Sequence, residues 1–455
     1  MSGKVKLIFI SAVVIALGCF TAFLLFRTDT PASTVQRLAI QRLPDGSFFQ
    51  LGSVSFTNGN LSYFARPVTG WRSKLAERLP KSWTARLGWL RKGGGLTIGG
   101  SAQATNLGWF TIFQDTTNRN YTAIRAVVSD EEENAFGAYE AGALASYNPN
   151  EIIRVNAWMM QAFPRRGKTL NLRYYQFEPT ASKWLPYATF SIPNPATGIY
   201  PKWSAEPMPA TRSDGDLFAT LKNLKSGLGK ENPQSPAASN ELAVTQAVFQ
   251  LAETNHATNS WRPISVEISD ATGNRWTPYA HVYSNQLEGD SDVFSFDSQL
   301  WPGESAWKLR FEFSRSADFD ADEIFTFNGI TVPGATQVIT LDNSTNVAGS
   351  KLQLIAISGE SAEQPGNLKW STVKQRVNIS VRVDPLPADR RLTLLKVTDD
   401  SGREAQVDDL PDWNLSERIY AFQAPVGASK LNFTFAFHKS RFAEFVVKPE
   451  FVHAN

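Results

Sequence analysis

Along most of the chain, apolar and polar residues alternate in short runs, and turn residues interrupt the runs about every ten positions. Long stretches with helical spacing are few. This pattern predicts a mainly β protein built of tandem antiparallel β-sandwich modules, immunoglobulin-like or jelly-roll-like. One N-terminal segment departs from it. Leu7–Phe26 is a 20-residue run with no charged side chain. As a helix it is ~30 Å long, the thickness of a bilayer's hydrocarbon core, so it predicts a transmembrane anchor behind a short cytoplasmic tail, residues 1–6.

A cleaved signal peptide ending near Thr30-Pro31-Ala32 is the alternative for this segment. The bulky end Phe23-Leu24-Leu25-Phe26 and the length of the run favour an anchor. Lysines and arginines flank it almost equally, so the short tail decides the orientation, and the bulk of the chain is expected outside the cytoplasm. That places a single-pass protein in a bacterial inner membrane facing the periplasm, or at the cell surface. Cys19 lies within the run and is the only cysteine, so the rest of the chain holds no disulfide and no thiolate-bound metal.

A repeat organises the second half of the chain. Ile268-Ser-Asp270-Ala-Thr272-Gly273 aligns with Val397-Thr-Asp399-Asp-Ser401-Gly402, a strand running into a D-x-[TS]-G turn. Lys308-Leu309-Arg-Phe311-Glu-Phe313 aligns with Lys430-Leu431-Asn-Phe433-Thr-Phe435, and period two puts the apolar residues of each on one face. Each copy closes with an apolar strand, Ile324–Phe327 and Phe445–Val447. Two related modules follow, 215–333 and 334–455. A β-rich module at 34–195 precedes them. Its Trp184-Leu-Pro186-Tyr187 echoes Trp276-Thr-Pro278-Tyr279, and the prolines predict edge strands or strand starts. A proline-rich linker over 196–214 joins the first module to the second.

The composition is that of ordinary folded protein, 42% hydrophobic with a net charge of +2. The charge is unevenly spread. Residues 71–92 carry seven basic side chains against Glu77, so the remainder of the chain is net negative. This segment predicts two short helices split by Pro80, with Trp71 and Trp83 on apolar stripes and Arg78, Lys81 and Arg86 among the basic residues. Such a pair lies on an anionic membrane surface or packs its stripes on a sandwich core; the second is the commoner use of an apolar stripe. Nucleic acid is not an expected partner.

Catalytic motifs are absent from the sequence. The four histidines are scattered, and no nucleophile elbow, phosphate-binding loop or dinucleotide fingerprint occurs. Asp318, Asp320 and Asp322 alternate in a form that suits calcium, but Gly329 stands where a calcium loop has its last glutamate. A solvated hairpin tip is the simpler reading, and Asp130-Glu131-Glu132-Glu133 is likewise expected as an exposed charged turn. No other cofactor is expected. Trp276 and Tyr279 are the candidates for stacking on sugar rings, with an aromatic plug at a hairpin base as the alternative.

The single N-terminal helix, the D-x-[TS]-G turns and Phe437-His-Lys-Ser-Arg441-Phe442-Ala-Glu444-Phe445 together resemble a group of bacterial membrane-anchored multi-sandwich envelope proteins. The resemblance implies the architecture and brings no assigned activity. The sequence is best read as a non-catalytic envelope protein that binds the membrane through its anchor and makes contacts with another envelope protein. A carbohydrate or cell-wall binding module is the runner-up, and an unrecognised hydrolase comes third.

Overall fold

Alternation of buried and exposed positions becomes strand throughout a computed structural model of the chain. It describes residues 40–42, 48–57, 61–64, 95–98, 106–115, 124–148, 151–178, 182–196, 198–228, 244–254, 260–278, 291–359, 376–407 and 416–453. The anchor expected at 7–26 and the basic segment at 71–92 lie outside the described residues, among which there is no helix. The described chain is mainly β, in antiparallel sheets with one short parallel pair between residues 225–228 and 450–453.

The first module contains β1 (Ile40–Arg42), β2 (Phe48–Thr57), β3 (Leu61–Phe64), β4 (Gly95–Ile98), β5 (Asn106–Asp115) and β6 (Ile124–Ser129). It continues through β7 (Ala135–Gly137), β8 (Tyr139–Asn148), β9 (Glu151–Met160), β10 (Thr169–Glu178) and β11 (Lys183–Pro193). One sheet runs β1-β2-β5-β9-β8 and the other β11-β10-β6-β7, with β3 and β4 as a separate ribbon. The two sheets face each other through a buried aromatic core. Phe49 of the first meets Tyr174 and Phe190 of the second, and the Trp109 indole donates to the Tyr174 hydroxyl at 2.7 Å. Pro186 sits on β11, an edge strand, as its missing N–H requires.

The same layout recurs. The second module starts with β12 (Ala210–Asp214), β13 (Leu217–Leu228), β14 (Val244–Glu253), β15 (Trp261–Asp270), β16 (Arg275–Trp276), β17 (Asp292–Asp297) and β18 (Trp307–Arg315). The third takes β19 (Ile324–Thr331), β20 (Val338–Thr340), β21 (Ser344–Val347), β22 (Ser350–Gly359), β23 (Arg376–Asp384) and β24 (Arg390–Asp399). It ends with β25 (Gln406–Val407), β26 (Glu417–Gln423) and β27 (Lys430–Lys439), and the chain then runs into β28 (Arg441–Val447) and β29 (Glu450–His453).

Three turns share one geometry. The main-chain N–H of Asp270 donates to the Asn274 carbonyl, and Gly273 N–H donates back to the Asp270 carbonyl. Asp399 with Arg403 and Gly402 repeats both bonds, and so does Asp130 with Asn134 and Glu133. In each turn the aspartate carboxylate accepts the N–H groups two and four residues on. The left-handed position is Gly273 at φ 89° and Gly402 at φ 83°, but Glu133 at φ 66° in the first module. The acidic run at 130–133 is therefore a third copy of the repeat's turn. The upstream echo lies elsewhere than the Trp-x-Pro-Tyr match, because Trp184 is on β11 and Trp276 on β16, strands with different places in their sheets.

The closing strands correct the reading of the repeat. Ile324–Phe327 does not close the second module, and Phe445–Val447 does not close the third. β28 pairs with β18 in the sheet β16-β15-β18-β28, while β19 pairs with β27 in the sheet β19-β27-β24. The two modules trade their last strands across the boundary expected at 333/334. The reason is a chain-length constraint. Only Ser440 separates β27 from β28, and an antiparallel hairpin needs a loop of at least about two residues. β28 therefore cannot fold back on β27 and runs on into the neighbouring sheet. In the first module, by contrast, β11 folds back on β10 as an ordinary hairpin from Glu178 and Lys183 onward.

The exchange carries core residues with it. Ala443, Phe445 and Val447 join the core of the first two modules, where Phe445 meets Phe249 and Phe311. Phe327 and Ile330 join the core of the third, with Phe327 against Phe435. Full burial of one such side chain stabilises by about 1.5–3 kcal/mol, so undocking either strand costs on the order of 5 kcal/mol, comparable to the whole stability of a small domain. The pairing also shifts the sequence alignment by two residues. Ile268 faces Leu309 while Val397 faces Phe433, so Leu309 corresponds to Phe433 and Trp307 to Leu431. A two-residue shift keeps every side chain on its face, which is why the apolar pattern fits either register.

The first and second modules share one continuous core and dock through corresponding parts. Asn274, in the second module's turn, donates to the Phe163 carbonyl at 3.0 Å, and Arg165 donates to the Thr272 carbonyl at 3.1 Å. In return the Trp301 indole donates to the Ala162 carbonyl at 3.2 Å and packs edge-on against Phe136.

The exchange predicts that the third module is removable only as a unit between Arg315 and Ser440. Replacing residues 315–440 by a two-residue turn joins β18 to β28 at Ser314 and Arg441, the arrangement of β10 and β11. This protein is expected to unfold in one cooperative transition by circular dichroism. A chain truncated after 333 loses β28 and is expected to expose its core to a hydrophobic dye.

Candidate functional site at the strand crossover

The place where the two closing strands pass each other holds a set of buried charged groups. β18 alternates apolar residues toward its core, which turns Glu312 and Ser314 to the opposite face, toward the third module. β24 brings Arg391 and Thr393 there, and β27 brings His438, two residues before the crossover residue Ser440. Glu312, Arg391, His438 and Ser440 are all buried.

Glu312 is fully engaged. The Arg391 guanidinium donates to it through two nitrogens, one at 2.6 Å from Oε1 and the other to Oε2. Ser440 Oγ donates to Oε1 at 2.7 Å and Ser265 Oγ to Oε2 at 3.0 Å. Burial alone pushes the Glu312 carboxyl up; the bonds and charge of Arg391, then the two serine bonds, outweigh it and hold the group below its ordinary value. The carboxylate is ionised and has no free lone pair for proton transfer.

His438 lies beside this pair. Its Nε2 is 3.0 Å from Thr393 Oγ1 and 3.4 Å from Ser314 Oγ, and Phe319 packs on the ring at 4.9 Å. Burial lowers its pKa to about 4, opposed by the backbone of Lys439 and reinforced by the positive charges of Arg315, Arg391 and Arg418. The imidazole is neutral at pH 7. No carboxylate among the described residues bonds either ring nitrogen, and Glu444 is instead paired with Lys308 on the exposed side of β28. A buried Ser314 at 3.4 Å from an imidazole with no orienting acid is not an activated nucleophile.

A second cluster covers the outer end of the junction. Asp216 pairs with both Arg315 and Arg441, and Arg315 also reaches Glu253 Oε1 at 2.7 Å. Arg315 and Arg441 both lie over the Trp261 ring. These bonds tie β18 and β28 to the start of β13, so the crossover is held by charge on the outside and by hydrogen bonds within.

The sequence-derived candidates fall elsewhere. Trp276 is buried and meets Trp307 edge-on at 5.6 Å, so its ring presents no face to a sugar; it is the plug at a hairpin base. Tyr279 lies outside the described residues, as do Trp71, Arg78, Lys81, Trp83 and Arg86. Asp318, Asp320 and Asp322 lie between β18 and β19. Arg315 donates to the Asp318 carbonyl at 2.7 Å, and Asp320 forms a turn with Glu323. Among the described residues no three His, Cys, Asp or Glu side chains gather as a metal site. Sequence reasoning missed the Glu312–Arg391 pair; its trace is Glu312 amid Phe311 and Phe313, a charge placed in the most apolar strand of the repeat.

No protein-family model matches the chain, and no curated protein matches it. The arrangement of charges at the crossover is thus the main guide, and its chemistry is that of a structural lock.

Breaking the buried pair from one side leaves an uncompensated charge. Arg391→Met is expected to cost about 3–5 kcal/mol in chemical denaturation, and adding Glu312→Leu to recover most of it. For His438 the unfolded chain binds more protons between its ordinary pKa of 6.5 and the folded value of about 4, so stability rises with pH across that window. Acidification through it removes about 3 kcal/mol, ahead of the loss from Glu312, which begins only at carboxylate pH. Thermal melts from pH 7 to pH 5 are expected to fall more steeply for the wild type than for His438→Gln; equal slopes would contradict this.

Proposed function

We propose that this chain is a membrane-anchored extracytoplasmic scaffold without catalytic activity, whose sandwich modules make contacts with other proteins of the bacterial envelope. The observation that carries this reading is the crossover. The buried Glu312 carboxylate there is bonded by Arg391, Ser265 and Ser440, and two modules are fused by exchanged strands. Such an arrangement fixes the spacing and orientation of surfaces rather than offering reactive groups. Residues 7–26 supply the anchor, and an immunoglobulin-like or jelly-roll-like character of the modules fits the paired sheets. Burial of Trp276 favours the scaffold reading over the glycan-binding one.

Protease added to spheroplasts tests the placement. Digestion of the region after residue 34, with a short anchored fragment left behind, is the expected result; full protection would refute an extracytoplasmic body. Retention of the protein on purified cell-wall glycan would replace the scaffold reading by the glycan-binding one.

A further inference from the structure

The three modules each end their second sheet with a closing strand, and the outer edges of those strands differ. On β11, Lys183 and Pro186 interrupt the edge, and the Gln41 side chain accepts the Thr189 N–H at 3.3 Å. On β28, Glu206 accepts the Val446 N–H and donates its own N–H to the Val446 carbonyl, while Asp214 accepts the Phe442 N–H. Arg212 adds a bond to the Glu444 carbonyl. Charged residues, proline and side-chain caps are the usual guards against strand-on-strand pairing.

The first half of β19, Ile324–Phe327, has none of them; the one side-chain bond to the strand's main chain among the described residues, from Gly329 N–H to Asn432 Oδ1 at 2.9 Å, lies at the register shift beyond it. The strand's sequence, Ile324-Phe-Thr-Phe-Asn-Gly-Ile-Thr331, contains no charge and no proline, and its only sheet neighbour is β27. Phe437 N–H donates to the Glu323 carbonyl, so alternation turns the main-chain groups of Ile324 and Thr326 away from β27. Both residues are exposed, Ile324 to 40%. No cap on these groups occurs among the described residues.

The charges around β19 define its complement. Asp320 and Asp322 stand exposed before its first residue, and Lys430 stands exposed opposite its last, Thr331. None of the three has an ion-pair partner among the described residues, whereas Lys439, at the acidic end, is already paired with Asp389. An antiparallel copy of the same strand brings acid to base at both ends and meets a neutral centre without repulsion. We propose that the outer edge of β19 pairs antiparallel with β19 of a second copy of this chain, joining two third-module sheets across a two-fold axis. This deepens the scaffold reading by naming a partner, and it rests on that reading only for its purpose.

Sedimentation equilibrium of the full chain in density-matched detergent tests it. The wild type is expected at twice its 50.4 kDa mass. Thr326→Pro removes an outward N–H at the cost of the hydroxyl bond to Thr434 on β27, and Ile324→Lys adds a guard at an exposed position and leaves that bond in place; each is expected to weaken dimerisation at least about tenfold, Ile324→Lys with a monomer that keeps its circular dichroism spectrum. A wild type that stays monomeric from about 1 to 100 μM, or a dimer that persists undiminished in both variants, overturns the proposal. Neither result bears on protease access in spheroplasts, so failure here is separable from failure of the scaffold reading.

Discussion

One residue between two strands governs the architecture. Ser440 leaves no room for a reversal, so the apolar strand that follows β27 must find its partner in the neighbouring module. β18 then has its edge filled from the far end of the chain, and β19, the strand that follows it, is left to fill the vacancy on β27. The second and third modules cannot be separated without breaking a ladder in each. The first module keeps its closing strand in a local hairpin and stands as the internal reference for the unexchanged state.

The polar groups at the crossover follow from this. Where one strand leaves a sheet and another enters, side chains that face solvent elsewhere are trapped between modules. Burial of Glu312 without a partner would cost several kcal/mol, and the Arg391 pair with two serine bonds offsets that cost rather than adding a large net gain. What such a network supplies is definition, because any slip of β18 or β24 by one residue leaves a buried charge unmatched. His438 sets a further condition: the junction tolerates the neutral imidazole and opposes the charged one. The joining of the modules and the acid sensitivity expected of them therefore involve the same few residues.

Much of this was legible in the sequence, and the limits are physical. Strand alternation reports burial on one face, so the mainly β character and the inward set of Leu309, Phe311 and Phe313 could be read directly. The D-x-[TS]-G turn is local and carries its own signature in Asp and Gly. Its third copy was hidden because Glu133 occupies the left-handed position that glycine fills elsewhere. The partner of a closing strand is a long-range property, and Ile324–Phe327 and Phe445–Val447 alternate alike, so pattern alone assigns them to the nearer module. The corrective signal was present in 430–447, a run of alternating residues too long for one strand and without a turn to fold it. Tryptophan at 276 packs on Trp307, and the sequence alone could not tell this from a binding face, since an indole fills a hairpin base as readily as it stacks on a ligand.

Reciprocal strand exchange is the central claim, and paired cysteines read it most directly. In the exchanged fold Arg310 lies opposite Glu444, and Thr326 lies opposite Thr434. With Cys19 replaced by serine, Arg310→Cys combined with Glu444→Cys is expected to oxidise to a disulfide within one chain, and Arg310→Cys with Thr326→Cys is expected to stay reduced. Efficient intrachain closure of the second pair and none of the first would show that β19 folds back on β18, and the account would be wrong.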